Sequence, residues 1–284
     1  MKKLIINCDD MGISKQTNIA IVDCLNANKA TSASILSNGK HFLHAVKQIK
    51  KNKKKFFGVH LNLTEGKALN IVSNNILTDT KNNFIHGPGF FFLNNFTKDK
   101  NIEKIIYLEF KKQILNVVNS GIKISHLDSH QHIHHVPFIF KIIVKLAKEF
   151  RIKKIRRLNE KFVFSIFLKN FFYKLKSSNY IKFVLIKLYT RKLNYFKSTD
   201  FFYGILNSGK INLNEFFQYV DKIDENKTIE LCIHPSHSSS KNSNKYSKFY
   251  SSINRSLENR LLFSDNFKKE LKKRKIKLIN FNSL

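Results

Sequence analysis

The sequence predicts one α/β domain in which parallel strands are covered by helices, and three observations lead to this prediction. Short apolar runs alternate along the chain with segments of helical periodicity, a pattern typical of a parallel sheet. Several of the apolar runs end in polar or charged residues. No segment rich in proline, glycine and serine divides the 284 residues, so a single domain spanning 1–284 is expected.

Strands are predicted in the first 160 residues where a short apolar run lacks a helical period. The first of them, KLIINC, is followed directly by two aspartates. The predicted strands are 3–8, 31–37, 56–63, 122–130 and 153–159. Helices are predicted at 18–28, 41–51, 102–119 and 138–149, and residues 70–100, rich in Asn, Gly and Phe, are predicted to form a long loop.

The segment 161–198 differs from the rest of the chain. It is dense in Phe, Tyr, Leu and Lys at near-helical spacing, with almost no acids, and we interpret it as a divergent helical insertion. Regular alternation returns after it, with predicted strands at 201–205, 228–235 and 275–281, helices at 212–222 and 254–273, and a loop at 236–248.

The formal net charge of +31 gives only weak evidence about partners. Such a charge is typical of proteins that bind nucleic acid or acidic membrane surfaces. Lys, Asn, Ile and Phe are abundant everywhere, however, and Trp is absent, so a coding bias toward AT-rich codons is the preferred explanation. Because no nucleic-acid-binding module is recognisable, no specific nucleic-acid partner is expected.

The cysteines and the N-terminus predict a cytoplasmic location. The three cysteines are odd in number and have no CxxC spacing, which favours a reducing compartment over a disulfide framework. The N-terminal apolar run is too short for a signal peptide, and no run approaches the roughly 18–20 residues of a membrane-spanning helix.

Adjacent aspartates follow the first predicted strand, where α/β folds commonly place functional groups. Neighbouring side chains on an extended backbone point in opposite directions. One carboxylate, Asp9 or Asp10, could therefore bind a cation while the other acts as a base. The structural alternative is that Asp10 caps the following helix, since Asp is favoured there.

Histidines cluster at other predicted strand ends. The stretch HLDSHQHIHHVP (126–137) contains five of the 11 histidines, and His126, Asp128 and His130 alternate there on one face. A divalent ion held by Asp10, His60 and His130 with open positions would suit water activation. The alternative for His60 is a hydrogen-bonded core histidine.

His234 ends the predicted strand 228–235 and precedes a proline. A histidine there could protonate a leaving group opposite an aspartate base. The alternative is a loop histidine without a chemical role.

Six ordered motifs together resemble the YdjC-like carbohydrate deacetylase family, which includes chitooligosaccharide and hopanoid-pathway deacetylases. The closing segment from Arg255 also fits the family, and the resemblance covers nearly the whole chain except 70–100 and 161–198. The motifs are INCDDMGIS (6–14), TSASILSNG (31–39), GVHLNLTEGKAL (58–69), HLDSHQHIHHVP (126–137), IRRLNE (155–160) and ELCIHPS (230–236).

The resemblance implies an irregular (β/α) barrel that hydrolyses the acetamide of an N-acetylated amino sugar and releases acetate. By the same resemblance, Asp9 matches the catalytic base and His234 the candidate acid, with a divalent ion, magnesium or zinc. The implied metal ligands are Asp10, His60 and His130, and the residues expected to support His130 are His126, Asp128 and His132.

The chain departs from the usual family pattern at two motifs. Cys8 and Met11 flank the aspartates where the family commonly has Ala and Phe, and both changes are apolar. Ser236 stands where the family commonly has glycine after His-Pro, which puts the local turn in doubt.

Other readings of the sequence stay open at this stage. The same residues would serve a metal-dependent hydrolase of another amide or ester. The alternative that is not an enzyme is a basic protein that binds membranes or nucleic acid and carries a vestigial site. Besides the sugar substrate, the partners considered are a second copy in a homodimer and a membrane surface in peripheral contact with 161–198, for which the alternative is an ordinary helix pair covering the barrel.

Overall fold

The computed structural model describes residues 1–52, 56–70, 76–94, 99–168, 178–189, 196–237 and 253–284. Within these residues, parallel strands form one sheet in the order β4-β3-β2-β1-β6-β5, with β7 paired to β1. The strands are β1 (Lys3–Met11), β2 (Ser32–Ile35), β3 (Phe57–Leu61), β4 (Ile124–Ser129), β5 (Phe201–Tyr203), β6 (Thr228–Ile233) and β7 (Lys277–Leu278).

Helices connect the strands and surround the sheet. A 3-10 helix (His130–His135) follows β4 directly, and a second (Phe281–Ser283) lies at the C-terminal end of the chain. The α-helices are α1 (Lys15–Asn26), α2 (Phe42–Lys51), α3 (Pro88–Leu93), α4 (Lys100–Asn119), α5 (Pro137–Glu149), α6 (Phe164–Leu168), α7 (Ser178–Tyr189), α8 (Leu213–Asp221), α9 (Ile253–Phe263) and α10 (Asp265–Lys273).

The sheet curls into a half-barrel of parallel strands in a single domain, which confirms the predicted fold class. The strands β1, β2, β3 and β6 are buried along nearly their whole length. Strands buried on both faces read as nearly continuous apolar runs rather than alternating ones. The polar residues within these strands therefore stand out, and they build the candidate site.

The predicted strand at 153–159 is wrong, because this segment changes its pairing partner too often to form a ladder. Ile155 bridges to Leu127 of β4, and Lys154 bridges to Lys197, each as an isolated pair. Four residues later, the amide of Phe202 in β5 donates to the carbonyl of Asn159. The segment thus hydrogen-bonds to both edge strands of the curled sheet without becoming a strand.

Other differences from the sequence prediction lie at loops and chain ends. The predicted loop 70–100 contains α3, which begins at a proline, although 71–75 and 95–98 lie outside the described residues. The predicted helix 254–273 breaks at Ser264, whose hydroxyl accepts from the amide of Phe267 and so caps a second helix. The last strand is shorter than predicted, and most of the predicted loop 236–248 lies outside the described residues.

The segment 161–198 contains α6 and α7, while 169–177 and 190–195 lie outside the described residues. Phe167 of α6 packs against Tyr180 of α7 with ring centroids 5.3 Å apart. Of the helices in the described part of the chain, none is both long and apolar enough to cross a membrane.

Candidate metal centre and active site

The two aspartates lie within the last residues of β1, not beyond its end. Pairing with β2 changes register between Cys8 and Met11, and Asp10 adopts a left-handed φ of 70°, which is uncommon for a residue other than glycine. Helix α1 is capped by Ser14, whose hydroxyl accepts from an amide of the first turn. The alternative role of Asp10 as a helix cap is therefore excluded.

Three predicted metal ligands converge at the carboxyl ends of β1, β3 and β4. The Nδ1 atom of His130 lies 3.1 Å from Oδ1 of Asp10, and Nε2 of His60 lies 3.5 Å from the same oxygen. All three side chains are buried, and one potential ligand atom from each lies within 4.8 Å of the others.

His60 is oriented by the residue opposite it in the neighbouring strand. Its Nδ1 donates to Oδ1 of Asp128 at 2.8 Å, and the Ser34 hydroxyl donates to the other oxygen of that carboxylate at 2.6 Å. This contact turns Nε2 of His60 toward Asp9 and Asp10. Histidine ligands of metal ions are commonly held in one tautomer by such a carboxylate.

The chemistry of these groups fits a divalent cation. Among the residues that the structure describes, none forms a hydrogen bond with the buried Oδ2 of Asp10, although this atom lies 3.2 Å from a guanidinium nitrogen of Arg255. Burial raises the pKa of Asp10, but the charges of His130 and Arg255 outweigh it, so the pKa lies well below the usual range. An ionised carboxylate beside two imidazoles is a donor set that divalent transition metals accept.

Asp9 points away from Asp10 into a separate set of contacts. Its two oxygens each accept from Arg156 at 2.7 Å, and Oδ1 also accepts from the Asn7 amide at 2.7 Å. The Cys232 thiol donates to Oδ2 at 3.1 Å. Burial raises the pKa of Asp9, but the charges of the Arg156 guanidinium and of His60 outweigh this effect. The pKa therefore lies below its usual range, and this carboxylate is ionised near neutral pH.

Arg156 connects three buried carboxylates. Besides Asp9, it contacts Asp128 at 2.9 Å and Glu230 at 2.7 Å, and it is fully buried. A buried charge is tolerated when it is paired and hydrogen-bonded. Burial raises the pKa of Glu230 to about 7, even with the arginine beside it.

His234 lies at the end of β6 against Glu258 of α9. The backbone amide of His234 donates to Oε2 of Glu258 at 2.6 Å, and its ring Nδ1 lies 3.5 Å from the same oxygen. Its Nε2 lies 3.9 Å from Sγ of Cys232, which also contacts Asp9. The ring is therefore buried beside the aspartate.

The 3-10 helix after β4 separates the remaining histidines from the cluster. Gln131 and His132 both have left-handed φ values, 55° and 62°, so the chain turns sharply after His130.

Burial lowers the pKa of His130, but the charges of Asp10 and Glu65 outweigh this effect and raise the pKa to about 9.

The three residues predicted to support His130 contact other groups. Asp128 orients His60, as described above. The His126 ring lies 3.2 Å from the Ser34 hydroxyl and stacks on Phe281. The His132 ring packs edge-on against Phe202, and its pKa lies well below the usual range, chiefly because it is buried.

Sequence reasoning missed the two buried arginines and one of their acidic partners, Glu230. Arg156 lies in IRRLNE, a motif used only for the family resemblance, and Arg255 lies at the start of α9. Both are at most 1% exposed. The available signal was the use of arginine at these positions in a chain that otherwise prefers lysine.

Comparison with known proteins matches the chain to a family model and to curated relatives. A model of the YdjC-like protein family matches residues 3–273. A carbohydrate deacetylase from Clostridium beijerinckii is 34% identical over 156 residues, which is 53% of this chain and 58% of that protein. A carbohydrate deacetylase from Brevibacillus brevis is 36% identical over 152 residues, which is 53% of this chain and 57% of that protein. The matched part thus spans little more than half the length of these curated relatives.

A solved structure shows the same fold over the whole chain. This protein from Enterococcus faecalis V583, described as a cellobiose-phosphate cleavage protein, is 22% identical, with a TM-score of 0.75. The match covers 99% of this chain and 98% of that one. The solved structure shows the same fold. Because the family model matches residues 3–273, nearly the whole chain, the chain belongs to the YdjC-like family.

Proposed function

We propose that this protein is a metal-dependent hydrolase that removes the acetyl group from an N-acetylated amino sugar and releases acetate. The observation that carries the proposal is the convergence of Asp10, His60 and His130 beside an ionised aspartate, Asp9. The relatives named carbohydrate deacetylase support a sugar as the substrate class.

Asp10, His60 and His130 are the residues proposed to hold the ion. Two imidazoles and one carboxylate suit zinc, while the family resemblance also allows magnesium. When bound, the ion would activate a water molecule and polarise the acetamide carbonyl. The carboxylate of Asp128 keeps the proton of His60 on Nδ1, which leaves Nε2 available as a ligand.

Asp9 is the proposed proton acceptor in this reaction. Arg156 holds both carboxylate oxygens in place and keeps the group ionised, so the base is ready without a prior proton loss. Oδ2 of Asp9 lies 3.8 Å from Nε2 of His60. A water activated beside that histidine would therefore have the carboxylate within reach.

His234 is the proposed proton donor to the leaving amine. Glu258 lies beside the ring, with its Oε2 atom 3.5 Å from Nδ1 of His234. The opposite nitrogen, Nε2, is on the side of Cys232 and Asp9. Cys232 thus contacts both the proposed acceptor, Asp9, and the proposed donor, His234.

Acetate release from a panel of N-acetylated sugars, free, lipid-linked and nucleotide-linked, tests the proposal when measured with and without a chelator. We expect release from at least one amino sugar, lost with the chelator and restored by metal. Turnover confined to other amides or to esters would make the protein a different hydrolase. No turnover together with salt-dependent DNA binding would favour the binding-protein alternative.

A further inference from the structure

Helices α6 and α7 and the residues before them expose an apolar surface, which we name the outer patch. Large apolar side chains are exposed here by 39 to 73%. The patch consists of Phe162, Phe164, Leu168, Ile181, Val184 and Leu188. Phe167 of α6 packs against Tyr180 of α7, with ring centroids 5.3 Å apart, so the two helices are adjacent.

Helix α7 is apolar on both its inner and its outer face. Phe183 and Ile186 are buried against the core, while Ile181, Val184 and Leu188 follow helical spacing along the exposed face. A helix that only covers a barrel would present lysines to water and apolar residues to the core. Packing on the barrel therefore does not explain why Ile181, Val184 and Leu188 are exposed.

Lys182 of α7 points inward instead. It is half-buried, and its Nζ donates to Oε1 of Gln131 at 2.9 Å. Burial lowers the pKa of Lys182 to about 8. Because Gln131 directly follows His130, this contact places the inner side of α7 next to the candidate metal centre.

The charge of the segment identifies the kind of partner that the outer patch fits. Residues 161–198 contain nine Lys and Arg and no Asp or Glu. A second copy of this chain would bring the same positive charge to a shared interface, and like charges repel there. A bilayer containing anionic lipids offers both an apolar interior for the patch and negative headgroups for the lysines.

We propose that the outer patch docks this protein on an anionic membrane surface. Exposed apolar side chains of α6 and α7 insert at the boundary between headgroups and acyl chains, and the exposed Lys161 and Lys187 contact the headgroups. The contact between Lys182 and Gln131 then places the candidate active site beside the docked helix. The inference goes beyond the proposed function, because docking requires neither substrate nor turnover.

Vesicle flotation of the full chain tests the docking without any substrate. We expect binding to vesicles of phosphatidylcholine mixed with phosphatidylglycerol at low salt, and much weaker binding to phosphatidylcholine alone. High salt should reduce the binding, because it screens the lysines. Absence of binding to the anionic vesicles at low salt, or equal binding to both compositions, would overturn the proposal.

A pair of matched variants identifies the surface that binds. Ile181→Ser with Leu188→Ser removes apolar side chains that are 60% and 73% exposed, so folding should be preserved. We expect the vesicle-bound fraction to fall at least about tenfold, since each side chain loses its burial in the bilayer. The control variant, Leu43→Ser with Leu257→Ser, changes side chains that are 73% and 51% exposed on α2 and α9.

The control should bind vesicles like the original chain. Equal binding by the Ile181 and Leu188 variant, or an equal loss in the control, would contradict the role of the patch. Light scattering on the same samples would show whether a homodimer occupies the surface instead. A dimer that dissociates on the Ile181 and Leu188 substitutions, in a protein that binds no vesicle, would replace the membrane by a second copy.

Discussion

The candidate metal centre and the outer patch place charge and apolar surface in opposite ways. At the centre, Asp9, Asp128 and Arg156 are at most 1% exposed, and each charge has a partner of opposite sign within 3 Å. At the patch, large apolar side chains face outward while a lysine of the same helix turns inward. Ordinary folding stability explains neither arrangement well, because burying charge and exposing leucine both cost free energy.

The two regions differ in how much of the fold each one needs in order to form. The centre is assembled from the ends of strands far apart in sequence, so its geometry exists only in the folded sheet. The outer patch lies on α6, on α7 and on the residues before them, so it requires only that these two helices form. Substitutions at the centre should therefore affect metal binding, catalysis or stability, whereas substitutions at the patch should affect association alone.

The largest effect is expected from the proposed metal ligands. His130→Ala and Asp10→Asn should each lose bound metal and acetate release together, because each removes one of three protein ligands. Metal analysis after dialysis, with His44→Ala as the control at a histidine of α2 outside the cluster, checks this. A full equivalent of metal in both variants would remove these residues from the ligand set.

Asp9→Asn separates catalysis from metal binding within the centre. The amide cannot accept a proton, so we expect turnover to fall by about 10²–10⁴-fold while the metal content stays unchanged. Cys232→Ser is the matched control, since its hydroxyl can still donate to Asp9, and it should keep most activity. Near-normal turnover of Asp9→Asn would exclude this residue as the base.

Arg156→Met tests whether the buried charges stabilise the fold as a unit. Removing the guanidinium leaves Asp9, Asp128 and Glu230 close together without their shared cation, so we expect a loss of about 3–5 kcal/mol in unfolding free energy. Arg157→Met, at the half-buried neighbouring arginine, should cost about 1 kcal/mol or less. Urea unfolding of both variants measures the difference, and equal losses would mean that the network contributes nothing special.

Substitutions at the outer patch provide the opposite limit on stability. Leu188→Ser removes a side chain that is 73% exposed, and surface changes of this kind are usually within about 0.5 kcal/mol. The same urea measurement checks it. A loss comparable to that of Arg156→Met would show that the patch is packed, and the contrast between the two regions would fail.

A pH-dependent effect on stability is expected from Glu160, which lies in the chain segment before α6. Its carboxylate accepts from the amides of Gly204 and Ile205, but burial raises its pKa to about 7. Between an unfolded pKa near 4.5 and that value, the folded chain binds more protons than the unfolded chain. This group therefore lowers stability as the pH rises from about 4.5 to 7.

Glu160→Gln should remove that decline, because the amide oxygen still accepts from the backbone and carries no charge. We expect a gain on the order of 2 kcal/mol at pH 8 and little change at pH 4.5. Urea unfolding at several pH values measures it. A variant whose stability follows the same pH curve as the original chain would show that Glu160 does not titrate in this range.

The sequence predicted the fold and part of the site for physical reasons that also explain its failures. Polar residues interrupting apolar strands mark a strand end, and that rule led to Asp10, His60 and His130, which the fold brings together. The same rule is silent about Arg156, which is 147 positions from its partner Asp9. Only the curled sheet brings such residues together.

Local patterns also overstated regular structure where partners are decided by the fold. The residues 153–159 have the composition of a strand, but their hydrogen bonds divide between β4, Lys197 and β5. In the predicted helix 254–273, the apolar period continues across Ser264. In the structure, the Ser264 side chain caps a new helix at this position instead. Propensity is a weak prior that tertiary contacts override.

The central claim is that one divalent ion at the buried cluster governs acetate release. Chelated protein, reloaded stepwise with zinc or magnesium, should release acetate at a rate that rises with bound metal and levels off at about one equivalent per chain. Both quantities come from the same samples, by metal analysis and by acetate assay. Full acetate release from protein without measurable metal would contradict the account directly.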